Sequence, residues 1–227
     1  MEEARQITEG LIEAGVDQIG FVQSITQEAH LETHEGLPPT LSREQIEGIV
    51  QVAHDHGKRV VGQVVFPDEA EIVLAAGVDE IANWPSRAVP MPEDLIQALV
   101  ARSVPVVSGF NVVLPQEGDV RRFLDAGGTL VFGTYGPNSG PLSSPYREFL
   151  IMSTLDMSAK EMIQAATANA AHAIGLGDVV GTLEAGKRAD VIVVDGDPFE
   201  DFRVMRDVVY VVKGGELVVQ PEGEGGG

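Results

Sequence analysis

The chain has 227 residues, 44% of them hydrophobic, which is enough to bury a core and excludes a wholly disordered protein. Fifteen Lys and Arg stand against 35 Asp and Glu, a net charge of −20 that repels nucleic-acid backbones and anionic membrane surfaces. There is no cysteine, so disulfides, thiolate metal sites and a cysteine nucleophile are excluded together. The acidic start, Met-Glu-Glu-Ala-Arg-Gln, lacks the apolar run of a signal peptide, and no 18-residue apolar stretch exists; a cytoplasmic location is the expectation. An acidic surface poor in lysine suits a cytosol of high salt and equally an ordinary acidic protein.

From residue 1 to about 150 one theme recurs: a helical period, a glycine-containing turn, then a short apolar strand. Ile7, Leu11, Ile12 and Ala14 have helical spacing before a strand over 16–22. Ser42 and Gln45 form a capping box at the head of a helix whose apolar positions are Ile46, Ile49, Val50 and Ala53, and 59–66 reads as the next strand. The helices expected over 68–76, 92–102 and 119–126 precede strands expected over 78–82, 104–108 and 129–132. Five strands, each preceded by a helix, imply a right-handed parallel α/β arrangement whose functional loops leave the strand C-termini. Beyond a loop near Asn138-Ser139-Gly140-Pro141, helices are expected over 146–153 and, opened by the Ser158/Glu161 capping box, over 158–174. The period then becomes extended: 191–194, 208–212 and 216–219 read as short strands, with Lys213-Gly214-Gly215 turning between the last two. The tail over 222–227 has no apolar residue and is expected to be mobile.

The segment Gly181-Thr-Leu-Glu-Ala-Gly-Lys-Arg-Ala-Asp-Val-Ile-Val-Val-Asp-Gly-Asp-Pro198 resembles a signature of the amidohydrolase superfamily, where the chain leaves the barrel for a small β-sandwich. Ala166-Thr-Ala-Asn-Ala-Ala171 with Ile174-Gly175-Leu176 is similar to that family's last barrel helix, and 211–217 to its closing hairpin. Weaker resemblances place residues 15–19 on the fourth barrel strand, 53–60 on the approach to the fifth, 76–81 on the sixth and 126–134 on the eighth. The fold implied is a partial TIM-type (β/α) barrel of strands four to eight over 1–180, a small C-terminal β-sandwich element over 181–221, and the tail. Within the superfamily the resemblance is to imidazolonepropionase- and prolidase-like members. In this reading Lys187 and Asp190 are turn and strand-entry residues on the appendage.

The resemblance implies hydrolysis of amide or related bonds with one or two divalent metals, which polarise the carbonyl and activate bound water. Its ligands are an His-x-His pair on strand one, a lysine or glutamate on strand four, histidines on strands five and six, and an aspartate on strand eight. The matching places hold Gly20, Gln63, Asn83 and Tyr135, and the strand-one pair has no counterpart. Glycine offers no side-chain donor, and neutral amides and a phenol are poor zinc ligands beside imidazole and carboxylate. The expectation is therefore a chain without a metal cofactor, with zinc or another divalent ion the alternative. His54 and His56 share the His-x-His spelling, but at a helix end they diverge by about 200° and cannot chelate one ion. His30, Glu32 and His34 follow the first strand and can share a face, which makes them the remaining metal candidates.

Gln63, Asn83, Trp84, Asn111 and Tyr135 fall at or just after strand ends and are expected to converge at one mouth, the amides bonding a polar ligand and Trp84 forming an apolar wall. The same amides can equally serve loop backbone groups. Three functions follow: a metal-free relative that binds a small polar molecule or a partner, a C–N hydrolase completed by another chain, or a truncated gene product. Five strands do not close an eight-stranded barrel, so a homo-oligomer or a second chain is expected to complete it, or the sheet stays open.

Overall fold

A computed structural model describes residues 1–23, 41–86, 89–111, 113–134 and 145–221. Helix α1 (Glu2–Glu13) leads into β1 (Gln18–Val22), α2 (Arg43–Asp55) into β2 (Arg59–Gln63) and α3 (Pro67–Ala75) into β3 (Glu80–Ala82). Then come α4 (Glu93–Ala101), β4 (Val106–Val107), α5 (Asp119–Asp125) and β5 (Leu130–Val131). The five strands form one parallel sheet in chain order, β1-β2-β3-β4-β5. The helix-then-strand alternation read from the sequence is thus the observed architecture, an α/β fold on a parallel sheet.

Local chemistry accounts for the boundaries. At the head of α2, Gln45 N donates to Ser42 Oγ (3.3 Å) and Ser42 N to Gln45 Oε1 (2.7 Å), the reciprocal bonds of the expected capping box. Gly77 (φ +94°) and Gly127 (φ +92°) take the left-handed conformation that ends α3 and α5 and turns the chain into the next strand. The strands are shorter than their apolar runs. At β4 only Val106 and Val107 pair with β5; Val104 is buried by packing at the helix-to-strand turn instead.

The register sorts the side chains onto two faces. Ile19, Val60, Ile81, Val106 and Leu130 face the helices and are buried, packed with Ile46, Val73, Leu95, Leu99 and Phe123. Each such aliphatic side chain contributes about 1.5–3 kcal/mol on burial. The opposite, inner face carries Gly20, Val61 and Glu80 in one layer and Val22, Gln63 and Ala82 in the next. It is bare at β1, where Gln18, Gly20 and Val22 are all exposed. Parallel sheets are ordinarily covered on both faces; here the inner face is uncovered at β1, while Glu80 on β3 and Val131 on β5 are buried on the same face.

After α6 (Pro145–Ser153) comes what reads in sequence as one amphipathic helix. The structure breaks it into α7 (Ala159–Gln164), a π-helical segment (Ala165–Asn169) and α8 (Ala170–Ala173). Phe132 N donates to Ala165 O (3.0 Å), and Asn169 Nδ2 donates to Leu130 O (2.9 Å). The widened turn therefore serves the side of β5 that faces away from β4. A second sheet, antiparallel and in the order β6-β7-β8, is built from β6 (Val191–Val194), β7 (Val208–Lys213) and β8 (Glu216–Val219). A short 3₁₀ turn (Phe202–Arg206), absent from the sequence reading, precedes β7; its Phe202 ring lies 5.0 Å from that of Phe149 on α6. Asp190 accepts from Gly214 N (2.7 Å) and from Arg188, and Lys187 Nζ donates to Gly177 O (2.8 Å), so both residues fasten turns.

Candidate functional site

The loops that leave the strand C-termini are held by carboxylates from behind. Glu69, in the first turn of α3, accepts from Val65 N (2.8 Å) and Phe66 N (3.1 Å) just past β2. Asp119, at the start of α5, is buried and accepts from Ser86 Oγ (2.8 Å), Met91 N (2.8 Å) and Arg122 (2.7 Å), which fixes the loop after β3. Glu148 on α6 is fully buried and accepts from Phe110 N (2.8 Å) and Asn111 N (3.0 Å) in the loop after β4, with Ser108 as a further hydrogen-bond partner. Burial pushes the Glu148 carboxyl above its ordinary value, against the pull of those bonds. Sequence reasoning missed all three. The usable signal was an acid in the first turn of a helix that follows a loop.

The expected site residues divide. Gln63 sits half-buried on the inner face at the end of β2, against a cavity of about 150 Å³ that Gly20, Val22, Val61 and Ala82 also line. Its carbonyl accepts from Gln23 N (2.9 Å), which carries the β1–β2 pairing one residue past the strand. Asn83 follows β3 in the left-handed region (φ 74°), which asparagine adopts at less cost than most residues. It is 1% exposed, and its Oδ1 has no hydrogen-bond partner. Asn111 Nδ2 donates to Thr134 O (2.9 Å), so this amide joins the loops after β4 and β5; its Oδ1 is also unpaired. Ser108 makes a parallel tie, accepting from Gly133 N (3.1 Å). Trp84 corrects the expectation of an apolar wall. It is fully buried, edge-on to Phe110 and Phe123 at 5.6 Å each, because the turn at Asn83 directs the chain back into the helix-covered core. Tyr135 lies outside the described residues, as do His30, Glu32 and His34.

The two helix-end histidines serve separate partners. His54 Nε2 meets Asp79 Oδ2 (2.9 Å), whose carboxylate also accepts from Val60 N (2.7 Å), while His56 Nδ1 meets Val52 O (2.9 Å). Both lie at the opposite end of β2 from Gln63. Among the described residues no group of three His, Cys, Asp or Glu side chains is placed to hold a metal ion.

A profile of the Amidohydrolase family matches residues 111–218, from the loop after β4 through β8. Imidazolonepropionase of Caldanaerobacter subterraneus subsp. tengcongensis is 38% identical over 183 residues, covering 74% of this chain. The chain belongs to the amidohydrolase superfamily. It spans 39% of the length of that imidazolonepropionase. Among solved structures, a prolidase complexed with N-methylphosphonate-L-proline superimposes with a TM-score of 0.82 at 20% identity, over 96% of this chain and 58% of its own. Phenylurea hydrolase B gives a TM-score of 0.79 at 23% identity, over 96% and 56%. These two likenesses are of fold. This amidohydrolase chain shares with them the parallel sheet and its helices. No helix among its described residues is long and apolar enough to cross a membrane.

Proposed function

We propose that this chain supplies strands four to eight of an amidohydrolase-type (β/α) barrel, with three strands of the accompanying sandwich, and that its mouth binds a small polar molecule without holding a catalytic metal on its own side chains. One observation carries the reading: the places at which the superfamily's ligands are expected hold Gly20, in the middle of β1, and Gln63 and Asn83, at the ends of β2 and β3. An absent side chain and two neutral amides do not fit a zinc or manganese ion, which takes imidazole and carboxylate donors. Gln63, the polar side chain that lines the inner-face cavity, offers one acceptor and one NH₂ donor, so the class of ligand that suits the mouth carries both, as amides do. The loops of the rim are fixed from behind by Glu69, Asp119 and Glu148.

A second reading is favoured by the coverage. The amidohydrolase relatives carry a further 40–60% of their length, roughly, beyond what this chain matches, and the inner face at β1, bare among the described residues, is where such sequence would pack. Joined to strands that bring their own histidines, the chain would form part of a C–N hydrolase. Metal analysis of the chain alone tests the metal-free reading. After removal of loosely held ions, the chain is incubated with zinc or manganese, dialysed and measured by atomic emission. Well under one ion per chain is expected. A stoichiometric ion lost on Gln63→Ala or Asn83→Ala would overturn the metal-free reading.

A further inference from the structure

Glu148 is fully buried on α6, and the groups that face it from the loop after β4 are the Phe110 and Asn111 N–H donors and the Ser108 hydroxyl, none of them charged. Arg147, its neighbour on α6, is the charged group that acts on it, through its field and without a hydrogen bond. An ionised carboxylate in this setting has no counter-charge in contact, whereas the neutral acid needs none. Ser108 is also fully buried and stands between this carboxyl and the loop after β5. Its Oγ accepts from Gly133 N (3.1 Å) and donates to Gly133 O (3.3 Å). A hydroxyl has one proton and two lone pairs, so Ser108 cannot donate to Gly133 O and to Glu148 at once. Which of the two receives the proton depends on whether Glu148 is an acid or an anion.

We infer that Glu148 and Ser108 form a proton-operated switch that ties down the loop after β5 when Glu148 is neutral and loosens it when Glu148 is ionised. In the neutral state the Glu148 O–H donates to Ser108 Oγ, the Ser108 O–H donates to Gly133 O, and Gly133 N donates back to Ser108 Oγ, so every valence of the hydroxyl is used. On ionisation the Glu148 proton leaves to water and the carboxylate becomes an acceptor only. Ser108 then turns its proton onto the anion, because a charge-assisted bond is stronger than the long 3.3 Å contact with Gly133 O. Gly133 O loses its donor, while Asn111 Nδ2 still holds Thr134 O one residue on. The loop is thereby loosened at one point and kept attached at the next. Burial holds the Glu148 carboxyl above its ordinary value, so the tied state is complete below 4.5 and is lost as the pH rises through the raised value. The switch lies behind the mouth and needs no ligand, so it stands or falls apart from the binding reading.

Nuclear magnetic resonance on the full chain tests this by two readouts across a pH series. The ¹³C signal of the Glu148 carboxyl gives its midpoint, expected above 4.5. Amide hydrogen exchange at Gly133, corrected for the intrinsic pH dependence of exchange, gives the state of the tie. Its protection should fall on the order of tenfold, the worth of one hydrogen bond, as the pH passes through the Glu148 midpoint. Ser108→Ala removes the relay and leaves the carboxyl to titrate, and Glu148→Gln keeps a donor toward Ser108 at every pH; each should abolish the pH dependence of Gly133 protection. Should either variant fail to fold, the titration of the parent chain decides. Gly133 protection indifferent to pH in the parent, a dependence that survives in a folded variant, or a Glu148 midpoint at or below 4.5 would overturn the inference.

Discussion

Replacing Glu148 tests how the rim is held. Glu148→Ala leaves Phe110 N and Asn111 N, both in a buried setting, without their acceptors. A buried donor left unpaired costs about 1–3 kcal/mol. The carboxylate's own desolvation, which raises its pKa, is returned on removal and offsets part of that loss. The net expectation is about 2–4 kcal/mol, a fall in Tm of roughly 4–16 °C for a domain of this size. Glu148→Gln keeps one acceptor and turns an NH₂ toward the other donor, at about 1–3 kcal/mol. The pH dependence gives a second readout. Because the native pKa is raised above its ordinary 4.5, the group's extra stabilisation is fully present below 4.5 and lost as pH rises through the native value. Glutamine does not titrate, so the gap between parent and Glu148→Gln narrows as the pH is raised from 4 toward 8. Guanidinium unfolding followed by circular dichroism at several pH values measures both effects. An alanine variant within about 0.5 kcal/mol of the parent, or a gap that widens with pH, would refute the reasoning.

Asp119→Ala strands the Ser86, Met91 and Arg122 donors together and should cost about 3–5 kcal/mol in denaturant unfolding, the largest loss of the set. Gly133→Ala puts a Cβ onto the Val107 side chain beside the Ser108 tie, an overpacking cost of about 1–3 kcal/mol readable by thermal unfolding. Asn169→Leu removes the bond to Leu130 O, and about 1–3 kcal/mol should be lost in thermal unfolding. Glu161→Ala removes the capping-box acceptor of Ser158 N (2.8 Å) and the partner of Arg121 (3.0 Å), and a loss of about 1–2 kcal/mol, read by thermal unfolding, should follow.

Legibility tracked locality. The five helix–strand units and the Ser42 and Ser158 caps rest on spacings within a few residues, and these the sequence displays. Trp84 did not: its partners Phe110 and Phe123 are 26 and 39 positions away, and a strand-end position gives no hint that the next residue folds back into the core. The π-helical turn was equally hidden, since one extra residue per turn leaves an alanine-rich run looking regular while freeing the Ala165 carbonyl for β5. The polarity of the candidate site was readable at Gln63, Asn83 and Asn111, but the roles of the amides were not. Asn111 spends its NH₂ on Thr134 O, a loop-to-loop bond visible only once β4 and β5 are neighbours.

The three carboxylates behind the rim have an evolutionary consequence. Glu69, Asp119 and Glu148 reach the loops from the outer helices, so the contour of the opening depends on groups that never meet whatever enters it. Residues pointing inward are thereby released to mutate with little effect on that contour. A lineage built this way can exchange or discard its reactive groups one at a time and keep an intact vessel for the next use.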